Sequence, residues 1–253
     1  FVVCLAIALY RKPWLQAAAL VAAGVLKLYP AFGLAAPHRR TSAGDRRLPR
    51  IVGLACMVVY VLFIRGELSS VRRGTNASRL YSYGVANLSN VINSTVRLPV
   101  PLPLLAAAAL AGGMMIAGLA VGVAVRRRAG ADADRDAATD AQAQACLIAA
   151  AIYVGSYWLR SNYDYRLLFV LPAIPYLNTL RRSSSSGVRW IGMIGLAALL
   201  GAMSQTALVA AMGRAGFALN LAAKLTLVGA FCAVAAFTMA RSAPQLKAVS
   251  APA

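Results

Sequence analysis

The sequence predicts an all-α, polytopic helical membrane protein, and three observations carry that prediction. Apolar residues make up 60% of the 253 residues and charged ones only 13%, against roughly 45–50% and about 25% in an ordinary soluble domain. Mean hydropathy is +0.67. The apolar residues fall in long runs, and the connectors between them are rich in arginine, as expected when helices cross a bilayer and their charges stay outside it.

The net charge of +19 belongs to the same pattern. Basic residues cluster in the connectors, and no basic patch with interleaved aromatics sits on a soluble domain, so nucleic acid is not an expected partner. Membrane lipids are. Cys4, Cys56, Cys146 and Cys232 lie in or beside apolar runs without a C-x-x-C pair, and read as small buried hydrophobes. With His38 as the single histidine, a multi-histidine metal site is excluded, and no cofactor is expected.

Taken in order, Phe1–Tyr10 is an apolar run too short to span, with neither a basic region before it nor a cleavage site after it. It reads as the end of a truncated span, and the sequence as the C-terminal part of a longer protein. Pro13 suits the first turn of a helix that is expected to reach about Ala36 and to carry Lys27-Leu28-Tyr29-Pro30 in its second half. Lys27 has two readings, a snorkelling anchor or a functional cation. It stands about ten residues, roughly 15 Å, before the next basic connector, and snorkelling over that distance requires an early exit of the helix at Pro30.

Pro37–Arg50 is a basic connector, and Ile51–Ile64 a short span. The segment 65–103 is the longest loop, with room for a short interfacial helix, and closes on Pro99-Val100-Pro101-Leu102-Pro103, an extended lead into the next span. Leu104–Val125 is an uninterrupted span in which Gly112-Gly113 offers close helix contact. The linker 129–144 is rich in Ala and Asp and reads as solvated; its Asp132-Ala133-Asp134 lacks the preceding strand of a metal-binding D-x-D. Ala145–Trp158 and Leu167–Leu180 are short spans flanking a polar connector. Trp190–Met212 and Ala218–Ala240 are the last two, joined by a tight turn over Gly213–Gly216, with Lys224 read as a snorkelling residue. The expected total is about seven spans plus the truncated one, a bundle over residues 1–240, followed by a disordered cytoplasmic tail, 241–253.

Alternating the connectors across the membrane puts 14 lysines and arginines on one side and 10 on the other. By the positive-inside rule the first side is cytoplasmic. The loop 65–103 and the connector 159–166 then share the outer face, where Glu67 and Asp164 are the only carboxylates.

That connector is the chemical focus. Arg160, Asn162, Tyr163, Asp164, Tyr165 and Arg166 are packed between two apolar runs, and ionised groups at the end of a membrane helix are costly unless paired or in contact with water. Two readings stand: a functional site, or an Asp164 pair with Arg166 or Arg160 that satisfies a helix end.

Lys27-Leu28-Tyr29-Pro30, late in an Ala/Leu/Gly-rich helix and followed by an Arg-rich turn, resembles the K-x-x-P signature of glycosyltransferase family 87. Asn162-Tyr163-Asp164-Tyr165-Arg166, followed by Pro172 and Pro175, resembles a late-span motif of related multispanning proteins. Asn87-Leu88-Ser89-Asn90 with Arg97 downstream is similar, far less specifically, to a polar outer loop in such enzymes. The resemblance implies a GT-C membrane fold and transfer of a mannose- or arabinose-like sugar from a polyprenyl-phosphate donor to a glycan or glycolipid acceptor. The Ala/Arg-rich composition leans bacterial, so the expected location is a bacterial plasma (inner) membrane, as a multi-pass protein. In that frame Arg160 and Arg166 are phosphate-side candidates, Tyr163 and Tyr165 stack on sugar or prenyl groups, and Asp164, the catalytic candidate within this sequence, orients an arginine or contacts the acceptor. Asn162, Lys27 and Tyr29 join them as substrate-binding candidates. Such enzymes place the catalytic aspartate in the first outer loop, so the base is expected outside this sequence. The rival expectations are a transporter or flippase, whose ionisable groups line a pathway near the midplane, and a polysaccharide polymerase or ligase.

Overall fold

The computed structural model describes residues 3, 6–7, 11–36, 43–66, 82–97, 99, 101–129, 140–158 and 162–240; for 43–47, 82–83, 162–166 and 240 it describes the backbone. His38, Asp132, Asp134, Arg160 and the segment 241–253 lie outside the described residues. The described chain is helical, with one antiparallel pairing of two dipeptide strands. It forms two compact units, residues 1–110 with 148–172, and residues 111–147 with 173–253.

In the first unit α1 (Pro13–Leu26) opens with proline at its first position, where a missing N–H costs nothing. It ends ten residues earlier than the sequence suggests, and the cause is local. Pro30 has no N–H and its ring would press on the carbonyl four residues back, that of Leu26. The chain extends at Lys27 (φ −151°, ψ 117°) and resumes as a 3-10 helix over Tyr29–Ala35. Helix α2 (Ala43–Phe63) starts within the expected basic connector and carries Pro49 inside it. It packs back on α1, where the Tyr60 hydroxyl donates to the Val25 carbonyl at 3.0 Å. Strand β1 (Ser82–Tyr83) and helix α3 (Val85–Val96) follow. Helix α3 is the short helix that the long loop had room for, and it buries Val85, Asn87 and Leu88.

Helix α4 (Leu102–Ala129) and helix α5 (Asp140–Tyr157) both cross from one unit's residues into the other's. Strand β2 (Asn162–Tyr163) leads into a second 3-10 helix, Asp164–Ala173, and then α6 (Ile174–Arg181). The expected span at Leu167–Leu180 is thus a 3-10 segment joined to a short α-helix. Pro172 and Pro175 each remove a helical hydrogen bond there. The second unit is completed by α7 (Ser186–Met203), α8 (Gln205–Met212) and α9 (Arg214–Ala240).

Among the described residues, three helices are long and apolar enough to cross a membrane: α4, α7 and α9, with mean hydropathies of 2.2, 1.4 and 1.8 over their most apolar stretches. Only 17% of that stretch of α4 is buried by the protein, leaving Leu104, Leu110, Ile116 and Val121 exposed, which suits a helix solvated by lipid rather than water. Where α4 does touch protein, it is not at Gly112-Gly113, beside which nothing stands within 4 Å. The close approach lies about one and a half to two and a half turns on. A Cβ at Gly118 or Gly122 would collide with the backbone of Gly229 or Ala233 on α9, the small-residue packing that lets membrane helices meet. The Tyr176 hydroxyl pairs with Thr238 Oγ1 at 3.0 Å, both buried, and ties α6 to α9.

Candidate functional site

The break after α1 is what builds the site. Because the helix stops at Leu26, Lys27 sits in extended backbone with its side chain exposed, rather than deep in a span. Its N–H still donates to Ala23 at 2.9 Å. The 3-10 helix that follows turns two aromatics inward. Phe32 lies on Gly155 of α5, where a Cβ would collide with its ring. Tyr29, 4% exposed, meets Phe169 in a T-shaped contact, ring centroids 5.2 Å apart at 62°.

Those two contacts bracket the polar connector. Gly155 lies before Arg160 in the chain and Phe169 lies after Arg166, so the stretch carrying Lys27 and Pro30 is docked on both flanks of the segment 159–166. The connector gains a third neighbour through its backbone: Ser82 pairs with Tyr163 and Tyr83 with Asn162. Asp164 is the first residue after this pairing and the first of the 3-10 helix, and Tyr165 and Arg166 follow it within that helix. The first unit therefore gathers the Lys27–Pro30 stretch, the start of the Asn/Ser-rich segment, and the Asn162–Arg166 cluster.

The side chains of Asn162, Tyr163, Asp164, Tyr165 and Arg166 lie outside the described residues, as does all of Arg160. The pairing expected between Asp164 and an arginine therefore falls outside them too. Of the predicted site residues with described side chains, Lys27 is available to a ligand and Tyr29 is committed to packing. Arg97, at the end of α3, adopts a left-handed conformation (φ 52°, ψ 49°) and hands the chain toward the proline-rich lead of α4.

A second polar group, in the other unit, was not expected from the sequence. Lys224 of α9 is 1% exposed and donates to Gln205 Oε1 at 2.6 Å, so it does not snorkel. One turn before it, buried Asn220 donates to the carbonyls of Gly201 and Ala202 at 2.7 and 3.0 Å. The available signal was the spacing of Asn220 and Lys224, four residues apart on one helix face, together with Ser204-Gln205 interrupting an apolar run.

Comparison of the chain with protein-family models, curated proteins and solved structures gives no match.

Proposed function

We propose that this chain belongs to a membrane glycosyltransferase that moves a mannose- or arabinose-like sugar from a polyprenyl-phosphate donor to a glycan or glycolipid acceptor at the outer face. The proposal extends to a GT-C-like bundle of about seven spans in a bacterial inner membrane. One observation carries the reading. The two stretches that resemble such enzymes, Lys27–Pro30 and Asn162–Arg166, are far apart in sequence. They are drawn together by Tyr29 on Phe169 and by Phe32 on Gly155. A chance resemblance at two places has no reason to converge in the fold.

The chemistry divides by residue type. The acceptor hydroxyl attacks the anomeric carbon as the bond from that carbon to the phosphate oxygen breaks. A carboxylate takes the acceptor proton, and cations hold the departing phosphate, whose charge grows in the transition state. Lys27, Arg160 and Arg166 are the cations of this reading, and arginine's planar fork suits a phosphate best. Asp164 orients an arginine or contacts the acceptor. Asn162, Tyr163 and Tyr165 offer hydrogen bonds and stacking surfaces to the sugar or prenyl chain.

A second reading has its own support. The helix break between α7 and α8 beside buried Lys224 is the kind of feature transporters place in their translocation path. Asp164→Asn and Arg166→Gln in the membrane-embedded protein separate the two. Sugar transfer from a labelled polyprenyl-phosphate donor is expected to fall at least tenfold in each. Unchanged transfer in both variants removes the proposed site, and labelled-solute uptake without transfer supports the transporter.

A further inference from the structure

The chain turns back on itself after α1, and the contacts fix its direction. A Cβ at Gly24 would lie 3.0 Å from Ala31 Cβ, and one at Gly33 would lie 2.9 Å from Leu20 Cδ2. Ala36 lines the same small cavity as Pro13 and Gln16. The 3-10 helix therefore runs antiparallel to α1, back to the level where α1 begins, and Lys27 stands at the tip of the hairpin. Helix α2 then rises beside α1 in the same direction as α1: Gly53 faces Val21, Met57 faces Gly24, and Tyr60 bonds to Val25. Lys27 follows Val25 by two residues, and Arg65 follows Tyr60 by five, about 7.5 Å along a helix. The fold thus brings Lys27 and Arg65 to one end of the α1–α2 pair, both of them exposed.

The face of α2 that leads to these cations is open. Val52, Ala55, Cys56, Val59, Tyr60 and Phe63 share one side of the helix and line a groove of about 590 Å³, a size common among ligand sites. Val59 and Phe63 are 67% and 88% exposed. The one hydroxyl in the lining, that of Tyr60, is committed to the Val25 carbonyl, so the groove suits hydrocarbon. Charge then selects among apolar occupants. A second copy laid on this face in the same membrane orientation would set Lys27 and Arg65 against their own counterparts, and like charges across an interface are costly. An amphiphile with an anionic head meets both demands. Its chain covers the groove, and arginine's planar fork and lysine's point charge suit a phosphate.

We infer that Lys27, Arg65 and the groove along α2 form a binding site for a membrane lipid with a phosphate headgroup, the phosphate at the two cations and the chain on α2. The site shares Lys27 with the proposed transferase and deepens that reading, since its donor is a lipid of this class. Helix α1, with 14 residues, is about 21 Å long, short of a hydrocarbon core of about 30 Å, whereas α2, with 21 residues, reaches about 32 Å. The hairpin is then re-entrant, and Arg11 and Lys12 lie on the side of the basic connector Pro37–Arg50. Lysines and arginines divide 16 to 8 across the membrane in place of 14 to 10, a sharper positive-inside split, with Lys27 and Arg65 toward the non-cytoplasmic side.

The test uses the full chain in nanodiscs of phosphatidylcholine, with thermal unfolding followed against ligand concentration. Dodecyl phosphate is the probe, dodecanol supplies the chain alone and inorganic phosphate the head alone. A saturable rise in unfolding midpoint is expected with dodecyl phosphate and with neither control. Lys27→Gln, Arg65→Gln and Val59→Trp, all at exposed positions, are each expected to raise the half-saturating concentration at least tenfold. Arg127→Gln, an exposed cation of the other unit, is expected to leave it unchanged. No saturable rise, an equal rise with dodecanol, or an equal rise with inorganic phosphate overturns the site. So does a response that survives the Lys27 and Arg65 changes or the filled groove, and so does a dimer that Val59→Trp dissociates in the absence of any lipid effect. Sidedness is read in the cysteine-free protein with an impermeant maleimide. Lys12→Cys is expected to react only after permeabilisation and Arg65→Cys from outside, and reaction of both from one side overturns the re-entrant hairpin. None of these measurements involves sugar transfer, so the site fails or stands apart from the Asp164 and Arg166 variants that decide that reading.

Discussion

Tyr29 and Phe169 meet edge to face, their ring centroids 5.2 Å apart, and this contact joins the segment after α1 to the 3-10 helix that begins at Asp164. Aromatic pairs of this geometry contribute about 0.5–1.5 kcal/mol beyond their buried area. A double-mutant cycle with Tyr29→Leu and Phe169→Leu is therefore expected to give a coupling of about 1 kcal/mol, measured by reversible denaturation in detergent. Additivity of the two changes would show that the rings touch without holding the segments together.

The glycines of α4 divide into two kinds, and the division has a sign. At Gly118 and Gly122 a methyl group would strike the backbone of α9, whereas at Gly112 and Gly113 it would meet open space. Gly122→Ala is expected to destabilise by about 1–3 kcal/mol, the range for overpacking. Gly113→Ala is expected to be neutral or to stabilise by up to about 1 kcal/mol through helix propensity. Comparing the unfolding midpoints of the two variants checks this, and a loss at Gly113 as large as at Gly122 would mean α4 packs through its other face.

Tyr176 and Thr238 form a buried hydroxyl pair between α6 and α9. Inter-helix hydrogen bonds within membranes average only about 0.6 kcal/mol, with about 1.7 at most. Tyr176→Phe is expected to cost an amount in that range, and Thr238→Val added to it to cost little more in hydrogen bonding. A loss of several kcal/mol on Tyr176→Phe alone would point to a wider network around the hydroxyl.

Much of the helical layout was legible in the sequence, because it depends on local signals. The run from Leu104 to Val125 has no proline, and it is a helix throughout. Pro30 marked a disturbance after α1, but the sequence suggests a kink where the chain breaks outright. The ring acts on Leu26, four residues back, and Lys27 is released with it. The joint at Ser204 had no such mark, since neither proline nor glycine stands there. Asn220, from another helix, makes that break, so its cause is tertiary. For the candidate site, the residue types of the connector 159–166 drew attention by themselves. Its partners did not: nothing in Ser82-Tyr83 announces pairing with Asn162-Tyr163, and nothing in Phe32 announces Gly155. In the sequence Lys224 reads as snorkelling because its distance to a helix end is visible there, whereas burial against Gln205 is not.

We propose that the segment carrying Asp164 works at the non-cytoplasmic surface, and cysteine labelling in intact cells is the decisive check. In a variant with Cys4, Cys56, Cys146 and Cys232 replaced by alanine, Asp164→Cys is expected to react with a membrane-impermeant maleimide added outside. Ser185→Cys, in the connector that the positive-inside rule assigns to the cytoplasm, is expected to react only after permeabilisation. Labelling of Asp164→Cys that appears only once the membrane is opened would contradict the account.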